Sequence, residues 1–171
     1  MPRRLRRILV PLSALRVALA VAPGAWAACA GEDVSPSDPA AVAATLCLLN
    51  EQRAQHGLGA LAESPVLDKA AHSYAAKMVA QRFFDHVSPD GSTLSTRARA
   101  AGYRGPTLGE TIGWGEGELA TPAAIVQAWM ASPPHHAILM SRAFRKIGLG
   151  VAIGSPEGAG AAATVTADFG G

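Results

Sequence analysis

At 171 residues the chain has the length of one domain with a proper hydrophobic core, and its 49% hydrophobic and 16% charged composition is that of a globular protein. The formal net charge of +2 misleads, because Arg3, Arg4, Arg6, Arg7 and Arg16 all fall in the first 27 residues, which hold no acid; +2 less those five leaves −3 for the remainder. That remainder is mildly acidic and shows no run of Lys and Arg to suit nucleic acid, so this class of partner is excluded.

The first stretch reads as an export signal. Arg3 to Arg7 form a basic region, Ile8 to Ala22 an apolar run, and Ala25-Trp26-Ala27 an A-x-A cleavage pattern. Residues 1–27 are therefore predicted to be a signal peptide and the protein to be secreted. The charge of Arg16 inside the apolar run argues against a retained membrane anchor. Ala27-Ala28-Cys29 leaves a lipidated Cys29 as an alternative, although Trp26 stands where such a site wants a branched aliphatic residue. The two cysteines, Cys29 and Cys47, both follow the predicted cut, and an oxidising compartment lets them pair. A disulfide there would clip the mature N-terminus to the first helix; two free thiols are the alternative.

Residues 28–40 read as a polar, Pro-rich leader, and residues 41–171 as the folded domain. Asp38-Pro39 opens a first helix, with Asp38 as N-cap and Pro39 at the first helical position. Val42, Thr45/Leu46, Leu49 and Arg53 mark one face of it, and Gly57 ends it. Ser64-Pro65 repeats the start signal, and Leu67, Ala70/Ala71, Tyr74 and Met78 draw a second apolar stripe. Both stripes are read as core packing. His56 and His72 are read as surface residues.

Phe84 to Gly91 is the stretch that draws the eye chemically. Pro89-Asp90-Gly91 is a turn with a mechanism, and it holds His86 just behind a Phe pair, Phe83-Phe84. A short helix is expected over 92–101, stopped by Gly102, and an extended piece around Leu108–Ile112. Thr121-Pro122 opens another helix over 123–130, and Ser132-Pro133-Pro134 breaks it into a further turn through Met140. Ile147, Leu149, Val151 and Ile153 then alternate with small residues as a strand. A second strand spans 163–169, with a hairpin loop at 154–160. Helices first and strands last favour an antiparallel sheet covered by helices, an α+β domain.

Three segments place polar side chains at turns or element ends: His86, Glu110, and Ser132-Pro133-Pro134-His135-His136. Two imidazoles and a carboxylate suffice for a divalent-metal site with open positions, and equally for a hydrogen-bonded cluster in which the carboxylate raises one ring's pKa. No H-E-x-x-H pattern and no Gly-x-Ser-x-Gly elbow is present. Ser88 and Ser132 each precede proline, as turn or cap residues do, and no complete catalytic set is visible.

Taken together, Leu48-Leu49-Asn50-Glu51-Gln52-Arg53, Phe84-Asp85-His86-Val87-Ser88-Pro89-Asp90-Gly91, Gly109-Glu110-Thr111-Ile112, Trp129-Met130-Ala131-Ser132-Pro133-Pro134-His135 and Ile147-Gly148-Leu149-Gly150-Val151 resemble, in that order, the bacterial secreted branch of the CAP superfamily. That family joins the cysteine-rich secretory, antigen 5 and pathogenesis-related 1 proteins. The likeness runs from Leu46 to Phe169. It implies a three-layer α-β-α sandwich with a central antiparallel sheet and a cleft lined by His86, Glu110 and His135, with Ser132 beside them. The same three side chains would hold a divalent metal, zinc or calcium, if one is bound. Thr111 and Ile138 stand where family members often have Asn. Ser132 stands where eukaryotic members have a second glutamate, leaving Glu116 or Glu118 as the candidate carboxylates to replace it.

The favoured expectation is a monomeric, secreted binding module for a small hydrophobic ligand or cell-envelope component. Glycine-rich edges at 113–117 would let a ligand approach the backbone. The alternatives are a metal-dependent, protease-like hydrolase using the same cleft, and an interaction protein in which the cluster only stabilises the cleft.

Overall fold

The computed structural model describes residues 29–158 and 161–171. The predicted signal peptide, residues 1–27, lies outside the described residues. In order, the elements are α1 (Ala40–Gln55), β1 (Ala62–Glu63), α2 (Pro65–Gln81), α3 (Leu94–Ala101), β2 (Leu108–Glu116), a 3-10 turn (Gly117–Ala120), α4 (Pro122–Ala131), α5 (Pro133–Leu139), β3 (Lys146–Ile153) and β4 (Ala162–Gly170).

The strands form one sheet in the order β1-β3-β4-β2. The two long pairings, β2 with β4 and β3 with β4, are antiparallel; the two-residue β1 adds a short parallel edge to β3. Helices cover both faces, which makes the domain an α-β-α sandwich. On one side α2 lies over β3 and β4, with α3 beside it. On the other, Leu49 of α1, Ile125, Val126 and Trp129 of α4 and Leu139 of α5 meet Ile147, Leu149, Val165, Ala167 and Phe169 of the sheet.

Local signals place most element ends. Ser64 caps α2 in extended conformation with Pro65 behind it, and Thr121 caps α4 with its hydroxyl accepting from the Ala124 N–H at 3.3 Å. The first helix begins one residue later than expected, at Ala40, because Pro39 itself caps it; the Asp38 carboxylate still accepts the Ala40 N–H at 2.8 Å. Its buried stripe is Ala41, Ala44/Thr45, Leu49 and Arg53, with Val42 and Leu46 only half-buried.

The alternation in β3 has a different cause from the one-sided burial it suggests. Gly148 and Gly150 are not on a solvent face. A Cβ on Gly148 would stand 2.0 Å from the Leu67 carbonyl carbon, and one on Gly150 would stand 2.1 Å from the His72 nitrogen. These positions are empty of side chain so that the backbone of α2 can press directly onto the strand.

Cys29 and Cys47 form a disulfide that ties the segment before α1 to the middle of that helix. No helix among the described residues is long and apolar enough to cross a membrane.

Candidate functional site

The loop after α2 is held from below. Arg82 takes a left-handed conformation at the helix end (φ 54°), and Phe83 then packs edge-on against Tyr74 with ring centroids 5.9 Å apart. Only one of the two phenylalanines anchors the loop: Phe84 stays exposed. The Tyr74 hydroxyl donates to the Asp85 carbonyl at 2.5 Å, and burial pushes the phenol up to about 12. The following turn closes as expected, with Gly91 N–H donating to the Ser88 carbonyl at 2.8 Å and Gly91 at φ 79°. Ser88 is buried and its hydroxyl is spent inside the turn on Asp90 and Ser92. It behaves as a turn residue.

This frame presents His86 half-exposed to Glu110, which sits on β2 with its side chain 3% exposed. His86 Nδ1 lies 2.8 Å from Glu110 Oε1. The other carboxylate oxygen accepts from the Arg97 guanidinium of α3. Arg97 also donates to the His86 and Ser92 carbonyls, each at 3.1 Å, and lies over the Tyr74 ring, 3.2 Å from its centroid. The hydrogen bond to Glu110 raises the His86 pKa, helped by the charges of Glu110 and Asp85 and opposed by burial and Arg97.

A second carboxyl stands beside Glu110. Asp168 of β4 is its cross-strand partner and is fully buried, with neither oxygen finding a donor. Burial, then the negative charge of Glu110, hold its pKa well above the usual carboxylate range, while Arg97 pulls the other way. A protonated Asp168 has an O–H to donate, and the Glu110 carboxylate beside it is an acceptor.

The structure joins His86 and Glu110 in one hollow of about 370 Å³, with Val87, Thr93, Leu94 and Ile138 as its walls. His135 and Ser132 line an adjacent groove of about 370 Å³ with Phe84, Ile112, Trp114, Leu119 and Trp129. Both open along the same face of α5, with His135 lining the groove and Ile138, one turn on, lining the hollow. The His135 pKa is lowered by burial and then by the charge of His86. His135 Nδ1 is buried without a partner. His136 faces away, its ring edge-on to His56 at 5.8 Å.

As arranged, the three donors do not fit a divalent metal. Among the described residues their ligand atoms do not all come within 4.8 Å of one another. Both oxygens of Glu110 are engaged, one of them by a guanidinium whose charge repels a cation. Cys29, Cys47 and Glu51 do lie close together, but the two sulfurs are locked in the disulfide.

One sequence expectation is corrected here. Glu116 ends β2 six residues beyond Glu110, about 20 Å along the strand, and Glu118 follows it in the 3-10 turn at that same far end, so neither can join the cluster. Of the glycines at 113–117, Gly113 makes room for the Trp129 indole and also borders the groove described above, Gly115 makes room for the Leu119 carbonyl, and a Cβ on Gly117 would meet open space.

Sequence reasoning missed Arg97 and Asp168. Arg97 lay inside a short helix with no motif around it. Asp168 sat on a strand recognised only by its apolar partners, and its face is covered by α2.

A helix-covered sheet, an imidazole–carboxylate–guanidinium cluster at its edge strand and a disulfide at its N-terminal side make up a three-layer α-β-α sandwich. The chain belongs to the CAP family, described as the cysteine-rich secretory protein family, whose model matches residues 46–169. An uncharacterized Bacillus subtilis protein, YkwD, is 32% identical over 103 residues, which is 60% of this chain and 39% of that protein. The chain thus spans well under half the length of this curated relative. Among solved structures, an extracellular SCP-domain protein of Bacillus anthracis superposes with a TM-score of 0.66 at 24% identity, over 75% of this chain and 39% of that one. An outer surface protein of Borrelia burgdorferi gives 0.64 at 23% identity, over 73% of this chain and 87% of its own. At these identities the structures speak for the fold.

Proposed function

We propose that the protein is a secreted, monomeric binding module whose groove between β2 and α4 takes a small hydrophobic ligand or the apolar part of a cell-envelope component. The observation that carries the reading is the groove itself: an apolar channel flanked by the exposed side chains of Phe84 and Leu119. At its wall the unpartnered His135 Nδ1, with Ser132 beside it, offers a polar group for a hydroxyl or carboxyl head. On this reading His86, Glu110 and Arg97 are a charge-assisted cluster that fixes the loop under Phe84, and no metal is needed. The hydrolase alternative loses its metal-bound water, because the cluster offers a cation no free carboxylate.

Trp114 and Trp129, the only tryptophans after residue 26, both line the groove. Their fluorescence in the purified, disulfide-bonded protein is expected to change saturably on titration with long-chain fatty acids, alcohols or envelope lipids. Phe84→Asp should weaken that binding, and added zinc should not strengthen it. Silence across the lipid panel and a panel of envelope glycans would sink the proposal. Chelator-sensitive hydrolysis lost in His86→Ala would restore the enzyme reading.

A further inference from the structure

The charges of the described residues are sorted along the strands. β2 and β3 begin, and β4 finishes, at one end, where Leu108 and Lys146 each pair with Gly170. Five exposed cations gather there: Arg99, Arg104, Arg142, Arg145 and Lys146. Contacts join them into one face. Arg99 and Arg104 both donate to the Tyr103 carbonyl, at 3.2 and 3.0 Å, and the Tyr103 hydroxyl donates to the Gly171 carbonyl at 3.2 Å. Gly171 abuts the Ala143 carbonyl, and the Arg145 N–H donates to the Gly170 carbonyl at 2.9 Å.

None of the five is in an ion pair among the described residues; their guanidinium bonds go to main-chain carbonyls. The nearest acid by register is Glu63, next to Ala62, the partner of Lys146. A carboxylate on Gly171 would subtract another charge, and the face stays net positive. At the other end of the strands, about 26 Å away, stand Glu116, Glu118 and Glu157, with Asp33 beside Glu118.

We propose that this basic end is a docking face for an anionic phospholipid surface. Four of its five cations are arginines, whose planar fork matches phosphate oxygens, and none has a carboxylate to give up first. Because residues 28–171 carry a net −3, only this end is drawn to an anionic surface, so docking fixes an orientation. The disulfide belongs to an oxidising compartment, where lipid phosphate is a more available partner than nucleic acid. Glu110 lies two residues into β2 from this end, so docking brings the His86–Glu110 hollow near the lipid.

The test is co-sedimentation of the purified, disulfide-bonded protein with vesicles. With about 30 mol% phosphatidylglycerol in phosphatidylcholine the protein should pellet at low salt, and release as salt rises toward about 0.5 M. Pure phosphatidylcholine should capture none. Each neutralised charge should cut the partition coefficient about fivefold, so Arg142→Gln/Arg145→Gln should lose about 25-fold and Arg82→Gln, away from the face, nothing. Arg99→Gln/Arg104→Gln gives the same reading if the first pair disturbs folding. No pelleting with anionic vesicles at low salt would overturn the proposal. So would equal loss in Arg82→Gln, displacement by millimolar inorganic phosphate, or tighter capture of double-stranded DNA than of vesicles.

Discussion

Arg53 offers the sharpest quantitative test of how the domain is held together. It is 1% exposed on α1, and its guanidinium donates to the carbonyls of Gly59 (2.9 Å), Leu139 (2.6 Å), Ser141 (3.1 Å) and Phe144 (3.5 Å), with no carboxylate in reach. Burial, then the nearby charge of Arg145, lower its pKa. Arg53→Met keeps the stem and removes every donor. Three of the four bonds are 3.1 Å or shorter, those to Gly59 and Ser141 only partly buried, and each buried acceptor left bare costs about 1–3 kcal/mol. Methionine is easier to bury than a guanidinium, which returns part of that, so the net loss should be about 2–4 kcal/mol. In a domain of this size that lowers Tm by roughly 5–15 °C. Urea titration followed by circular dichroism, with the disulfide intact, measures it. Arg53→Lys should recover only part of the loss, because a single ammonium cannot span carbonyls on both sides of the helix end. A Met variant within about 0.5 kcal/mol of the parent would refute the reasoning, since it would mean the carbonyls find other donors at no cost.

Other outcomes follow from the same structure. Gly150→Ala forces a Cβ into the backbone of α2 and should cost about 3 kcal/mol or more, read in the same urea titration. Reducing Cys29–Cys47, which closes a loop 18 residues long, should cost about 3 kcal/mol, with the cleft geometry kept as judged by NMR shifts of the His86 ring. The His86 pKa lies above its unfolded value, so its stabilisation is complete below about pH 6.5 and fades as pH rises through the folded value. Because the ring is half-exposed the effect should stay under about 1 kcal/mol. His86→Gln should flatten Tm against pH on the alkaline side of about 6.5, and an unchanged profile would show that the pairing with Glu110 is not made in solution.

The sandwich was legible because its signals are local. Ser64-Pro65 and Thr121-Pro122 are start marks that need no partner, and the stripe through Leu67, Tyr74 and Met78 needs only helical spacing. The His86–Glu110 pairing was legible through resemblance alone, since nothing in the spacing of the two residues implies contact. What stayed hidden depends on which elements lie across from each other. Gly148 and Gly150 look like the weak face of a strand until α2 is placed on them. Asp168 looks like a solvent-facing residue until the same helix covers it. Arg97 becomes part of the site only when α3 is folded back over β2. The five cations at the base of the sheet come from α3, the loops after it and after α5, and β3, so no charge run announces them.

Helix α5 has a consequence for how anything could enter the domain. It borders both the groove, through His135, and the hollow, through Ile138, it is only seven residues long, and the backbone at its end is gripped by Arg53 of α1 in the same helical layer. A wall pinned to its neighbouring helix in this way cannot swing aside without breaking a buried set of hydrogen bonds. Entry must then be gated by rotation of single side chains such as Phe84 and Leu119 at the rim, which makes the cavity a fixed mould with soft lips.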